Sequence, residues 1–249
     1  MLIYCDTHVH CYDFDLLPEL LDCALVNFQR LGAGEEKVLF FTDGIVDRTW
    51  RRLRPLVQEG YQVNDWQLRY SKKTQFIHAN KGAFEILLAP ARQINSVARI
   101  EYLLLGCDLD IEDGLEDRVL LSQYTPNYTV ISPWGVGKWL GSRGKLLSQL
   151  IAEHGNDFLL GDNGGRPSLW SIIPQFNLSK LNIVNGSDPL PIEGELDRVA
   201  SYGIKVESNS TELTLSLLLD EIKLGRHQNY GHSMSLFRFL KGRFAMAAR

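Results

Sequence analysis

Little sulfur, no long apolar run and no surplus of positive charge characterise this 249-residue chain. Its four cysteines, Cys5, Cys11, Cys23 and Cys107, include no Cys-x-x-Cys pair. A chain of this length builds its core without covalent staples, so a reducing compartment is the simpler reading. No apolar stretch approaches the roughly 18 residues needed to span a bilayer, and the start, Met-Leu-Ile-Tyr-Cys-Asp, lacks the basic segment of a secretory signal. These absences predict a cytoplasmic protein with no membrane partner. The 26 basic side chains are outnumbered by 30 acidic ones, for a net charge of −4, and are scattered apart from pairs such as Arg51-Arg52 and Lys72-Lys73. Affinity for a phosphate backbone draws on concentrated positive charge, so no nucleic-acid partner is expected. Also missing are a Gly-x-Ser-x-Gly elbow, a phosphate loop ending in Gly-Lys-Ser/Thr and a Gly-x-Gly-x-x-Gly fingerprint after a strand. Serine hydrolases, P-loop enzymes and dinucleotide enzymes all lose ground accordingly.

What is present is a hydrophobic fraction of 45%, enough for one large core, and residues 1–249 are read as a single domain. Short apolar runs recur, each closing on a polar or glycine-containing stretch and most followed by a helical pattern. That alternation predicts βα units around a parallel, barrel-like sheet. Strands are expected at Leu2 to Tyr4, Val38 to Phe41, Tyr102 to Leu105, Thr129 to Ile131, Phe158 to Leu160, Asn182 to Val184 and Ile204 to Glu207. Helices are expected near 16–31, 114–124, 145–154, 168–177 and 211–224, and a small hairpin-like β insertion near 62–88. The tail carries an amphipathic segment, Leu236 to Phe244, expected to pack on the barrel.

In such folds the carboxyl ends of the strands converge on one rim where ligands bind. The residues expected there are His8, His10, Asp43, Gln93, Ser132, Lys138, Asp162, Asn163, Arg166 and Asp188. His8 and His10 lie two apart, so on extended backbone they face one side and can reach one cation. Imidazole nitrogens joined by the carboxylate of Asp188 suit zinc, manganese or iron, with an open position to activate water. Asp6, one step back, is placed to orient a histidine. Lys138 follows two glycines and Arg166 follows the glycine-rich Gly161 to Gly165 stretch, so either can steady an anion. Asp43 and Asp162 are candidates for the base. His78, His154, His227 and His232 sit in the insertion, at a helix end and in the C-terminal loop, and are poor ligands by position.

The strand-end residues resemble those of the PHP superfamily, the polymerase and histidinol phosphatase domain. Asp6-Thr7-His8-Val9-His10 looks like its opening Asp-x-His-x-His, and Phe41-Thr42-Asp43-Gly44 is similar to its Thr-Asp-His, with glycine in the histidine's place. Ala91-Arg92-Gln93-Ile94 resembles Gly-x-Glu-Ile, Val130-Ile131-Ser132-Pro133 resembles Ala-His-Pro, and Gly186-Ser187-Asp188-Pro189-Leu190 resembles Gly-Ser-Asp-Ala-His. The resemblance implies a seven-stranded (βα) barrel and metal-dependent phosphoester hydrolysis. Gly44, Gln93, Ser132 and Leu190 fill four family ligand positions. His8, His10 and Asp188 survive, which implies one divalent ion at most.

Two functions follow as expectations. One is a mononuclear metal-dependent hydrolase acting on a small anionic substrate, with His8, His10 and Asp188 on the ion, Lys138 or Arg166 on the substrate, and Asp43 or Asp162 as base. The other is a catalytically depleted barrel that binds a small anionic ligand or a protein partner. Lyase chemistry through Lys138 is a third, weaker expectation, since nothing marks that lysine as desolvated.

Overall fold

The computed structural model describes residues 1–32, 36–155, 157–167, 170, 173–178 and 183–247. Its elements run β1 (Leu2–Val9), α1 (Leu17–Leu31), β2 (Glu36–Asp43), α2 (Thr49–Leu56), β3 (Tyr61–Val63), β4 (Trp66–Tyr70), β5 (Ile77–Lys81), β6 (Phe84–Asn95) and β7 (Glu101–Leu105). There follow α3 (Asp117–Tyr124), β8 (Thr129–Pro133), α4 (Gly141–His154), β9 (Leu159–Asp162), β10 (Val184–Asn185), β11 (Gly203–Glu207), α5 (Leu215–Lys223), β12 (Gln228–Tyr230) and α6 (Leu236–Ala247). Among the described residues this is a mixed α/β fold with six helices and a nearly closed, barrel-like path of nine strands, ordered β10-β9-β8-β7-β6-β2-β1-β11-β12. The insertion expected near 62–88 is the antiparallel extension β3-β4-β5, which pairs onto the first half of β6.

Period-two alternation sorts the strands into an inner and an outer face. Ile3 and Cys5 of β1, Val38 and Phe40 of β2, Leu87, Ala89 and Ala91 of β6, and Leu103 and Leu105 of β7 share one cluster with Ile204 and Val206 of β11. Leu215, Leu218 and Ile222 of α5 complete that cluster. α5 closes the end of the barrel opposite the site: Thr129, at the start of β8, donates its Oγ1 hydrogen to the Leu219 carbonyl at 3.1 Å. On the outer face Leu39, Phe41 and Leu88 pack with α1, whose Leu17, Leu20, Leu21, Ala24 and Phe28 recur at helical spacing. Tyr102, Leu104 and Val130 pack with Leu120 and Leu121 of α3 and Leu147 and Leu150 of α4.

The sheet is not the parallel, seven-stranded (βα) barrel expected from the sequence. β1, β2, β6, β8, β9 and β10 run in one direction, but β7 is antiparallel to both its neighbours and β11 is antiparallel to β1. The reason is length: only residues 96–100 join β6 to β7. A parallel return needs a crossover of about a dozen residues or more, so this joint has to be a hairpin. The inversion carries the first residue of β7, Glu101, to the rim where the parallel strands end.

Three smaller departures have local causes. α2 was hidden by Arg51, Arg52, Arg54 and the internal Pro55, which blur its apolar spacing. The helix expected near 168–177 falls partly outside the described residues, and Pro174–Asn177 within it is a single 3-10 turn. α6 touches the barrel along one edge instead of lying flat on it: Gly242 is buried, but Phe237 and Phe244 are 80% and 74% exposed.

Because α5 fills one barrel end, truncating it should open a void that neighbouring strands cannot collapse into. Leu218→Ala is expected to cost about 2–5 kcal/mol, seen as a lower urea midpoint with an unchanged slope.

Candidate metal centre

β1 delivers the histidines after an irregularity in its pairing with β2: Asp6 lies opposite Leu39, but Val9 lies opposite Phe41. That slip separates Asp6 from the two histidines. Its Oδ1 accepts the N–H groups of Ser187 at 2.8 Å and His8 at 3.3 Å, and its Oδ2 accepts that of Ala200 at 2.8 Å. Asp6 therefore organises backbone and does not orient an imidazole. Burial pushes its carboxyl up to about 6, against the pull of these N–H donors.

The clasp draws the segment after β10 against β1. The Asp188 N–H donates to the His8 carbonyl at 2.8 Å, and the Thr7 hydroxyl donates to the Asn185 carbonyl at 2.9 Å. Gly186 is required at the crossing, since a Cβ there would lie 2.7 Å from the His8 nitrogen. Asp188 takes a left-handed φ of 44°, a conformation aspartate tolerates better than most residues, and so turns back toward the histidines.

The result is a convergence of donor atoms. One nitrogen or carboxylate oxygen from each of His8, His10 and Asp188 lies within 4.8 Å of the others, a group that could hold a metal ion. His8 Nε2 and His10 Nε2 are 2.9 Å apart, and Asp188 Oδ1 stands 3.6 Å and 3.9 Å from them. Two imidazole nitrogens bound at right angles to one ion at about 2.1 Å would be about 3 Å apart, so the spacing fits. Asn163 donates to Asp188 Oδ2 at 2.9 Å and fixes the carboxylate.

Two further groups decide the chemistry of this cluster. His10 Nδ1 makes a short contact with Asp47 Oδ2, which leaves its Nε2 facing the cluster. Gln93 donates its amide hydrogen to Glu101 at 2.7 Å, so its Oε1, 3.0 Å from His10 Nε2, faces inward as an acceptor. An acceptor oxygen and two imidazole nitrogens turned on one another need a proton or a metal ion among them. The cluster therefore fits a divalent ion by the nature of its donors. Glu101 in turn accepts from Lys138 Nζ, and Lys138 reaches it by crossing Gly135, where a Cβ would lie 2.5 Å from the lysine chain.

Electrostatics follow the same layout. Burial lowers the His8 pKa despite the opposing pull of Asp188. His10 is also desolvated, but the hydrogen bond and charge of Asp47 override burial and raise it. Asp188 is only partly buried, and although desolvation pushes its pKa up, the neighbouring His8, His10 and Lys138 hold it below the ordinary carboxylate range.

The other expected residues are placed differently. Asp43 Oδ1 and Oδ2 accept the N–H groups of Trp50 and Arg51 at 2.9 and 3.1 Å, which ties it to the start of α2. Asp162 accepts two hydrogen bonds from Arg166, at 3.2 and 2.7 Å, so each occupies the other and Arg166 is no free anion clamp. Ser132 alternates with the interior residue Ile131 and is fully buried, its hydroxyl without a hydrogen-bond partner among the described residues. Asp47 and Glu101 were missed. Asp47 lies beyond a strand end in an unremarkable loop, and Glu101 sits at the start of a strand whose direction the sequence did not reveal.

No family profile and no curated protein matches the chain by sequence. Similar solved structures include PsfC from Pseudomonas syringae PB-5123, at a TM-score of 0.65 and 14% identity over 100% of this chain and 99% of that one. The lesion-specific endonuclease Q of Pyrococcus furiosus gives a TM-score of 0.53 at 12% identity, covering 93% of this chain and 59% of its own. Endonuclease Q in complex with a 27-mer duplex bearing an abasic lesion at the active site gives 0.54, at 12% identity, over 93% of this chain and 60% of that one. At 12–14% identity these likenesses are of fold. The expectation of no nucleic-acid partner is overturned: a protein of this fold is solved on duplex DNA, and nucleic-acid binding is open to the fold. Net charge was a poor guide because it averages over a surface on which local fields decide. No described helix is long and apolar enough to cross a membrane.

Asp47→Asn is expected to weaken divalent-metal affinity about 10- to 100-fold in a chelator competition. Gly44→Ala should weaken it as well, because a Cβ at 44 would lie 2.4 Å from Asp47 Oδ1. Asp43→Ala should instead leave metal affinity unchanged and cost about 1 kcal/mol of stability through the lost α2 cap. Metal competes with protons for His10, whose pKa is raised. Affinity should therefore fall on acidification from a higher pH than an ordinary histidine would give, and Asp47→Asn should move that fall to lower pH.

Proposed function

We propose that the chain, acting as one domain over residues 1–249, is a metal-dependent hydrolase of phosphoester type working on a small anionic substrate through a mononuclear site. The observation that carries this reading is the convergence of His8 Nε2, His10 Nε2 and Asp188 Oδ1, with Gln93 Oε1 turned toward the same place. A bound zinc, manganese or iron ion supplies Lewis acidity and an activated water there. Asp47 holds His10 in the ligating orientation, and Asn163 does the same for Asp188. Lys138, anchored by Glu101, puts a positive charge beside the cluster where an anionic group of the substrate would be steadied. Asp43, Asp162 and Arg166 are occupied by internal contacts.

The same facts favour a second reading. Gly44 and Leu190 offer no ligand atom, so a barrel that retains an anion site without turnover is the alternative. The fold shared with endonuclease Q extends the test to DNA, and the four free cysteines support the cytoplasm as the place of action.

Protein purified without a nickel column should carry near-stoichiometric divalent metal, lost in the His8→Ala/His10→Ala double variant, and should release p-nitrophenol from p-nitrophenyl phosphate or its diester in a metal-dependent way. Metal-free protein stabilised in a thermal-shift assay by anions alone would favour the binding barrel. Cleavage of a duplex with an abasic site, and of neither small ester, would move the substrate class to DNA.

A further inference from the structure

A cavity of about 150 Å³ lies between the metal centre and α6. Asp188, Asn163 and Lys138 line its inner part, so whatever fills it touches the metal centre. Four cations, Lys138, Arg198, Arg238 and Arg243, border it against two carboxylates, Asp188 and Glu195, which leaves a surplus of positive charge in a chain that is acidic overall. Three of the four cations are committed. Lys138 pairs with Glu101. Arg198 bonds Glu195 Oε2 at 3.2 Å and the Asn163 carbonyl at 2.6 Å. Arg238 holds α6 in place through Glu195 Oε1 at 3.3 Å and the Gly194 carbonyl at 2.8 Å.

Arg243, five residues beyond Arg238 on α6 and exposed, has no hydrogen bond or ion pair among the described residues, and it borders the same cavity. A guanidinium without a protein partner at the edge of a cationic cavity offers a planar fork suited to a carboxylate or phosphoryl group. The remaining wall is apolar, with Trp134, Leu190 and Phe239. The volume holds several waters, enough for a short organic linker and one acid group.

We propose that Arg243 is a specificity residue: it grips a second anionic group on a compact substrate whose first, phosphoryl-type group is presented to His8, His10 and Asp188. The substrate class is then a small phosphorus-containing acid with a carboxylate or second phosphoryl group on a short apolar link. This deepens the hydrolase reading and rests on it for the position of the first group.

Two non-hydrolysable probes separate the groups: 3-phosphonopropionate carries both, and ethylphosphonate lacks the carboxylate. Calorimetric titration of the manganese-treated full chain should show 3-phosphonopropionate binding at least tenfold more tightly. Arg243→Ala should erase that preference while leaving ethylphosphonate affinity and metal content unchanged, and Arg243→Lys should keep part of it. The same thermal midpoint in variant and parent guards against misfolding, and if alanine unfolds the chain, Arg243→Gln serves in its place. Equal affinity for the two probes, binding of neither, or a preference that survives loss of Arg243 would overturn the proposal. A chain that takes up no metal sinks the hydrolase reading, whereas an Arg243-dependent preference in that chain would still uphold the subsite.

Discussion

One buried carboxylate holds the working end of this protein together. Asp6 accepts backbone hydrogens from His8, from Ser187 after β10 and from Ala200. In doing so it ties the start of the chain to a segment some 180 residues later and closes the barrel between β1 and β10. Burying a carboxylate is costly unless hydrogen bonds repay it, and here three donors converge on its two oxygens. β10 is only two residues long and among the described residues pairs with β9 alone, so the clasp joins the Asp188-to-His8 and Thr7-to-Asn185 hydrogen bonds in bringing His8 and Asp188 together.

From the clasp outward the site is a chain of paired charges and oriented dipoles. Asp47 fixes His10, Glu101 fixes Gln93, Lys138 balances Glu101, and Asn163 fixes Asp188. Each partner settles the orientation of a group that would otherwise rotate, which is how a cluster of neutral and charged donors stays aimed at a single point. The glycines serve that arrangement by their lack of bulk. Gly135 lets Lys138 fold across the backbone, and Gly44 leaves room for Asp47. Gly44 is thus the local condition for Asp47 to reach His10.

The sequence made much of this legible, and where it failed the reason is topological. His8, His10 and Asp188 were readable because each lies at or just beyond the end of an apolar strand, and strand ends meet in barrel-like sheets. Glu101 was not, because that rule looks at the ends of strands and β7 is inverted, so that its beginning reaches the rim. Asp47 was not, because its role depends on the turn after β2 bringing it back toward β1. Asp43, Asp162 and Arg166 stood in the right places by sequence, but secondary structure and side-chain pairing had a prior hold on them. An acid one short loop before a helix and a base four residues from an acid both find local partners before any ligand.

By itself, then, the sequence determined the local things: period-two runs that must be strands, the apolar stripe of α1, and the His-x-His pair that faces one side of an extended chain. These are properties of neighbouring residues, and neighbours are fixed by covalent geometry. Tertiary structure alone decided strand direction, barrel closure and the identity of the groups standing behind each ligand. Those depend on connection length, on the slip in β1 and on contacts between residues far apart in the chain, none of which leaves a periodic mark in the sequence.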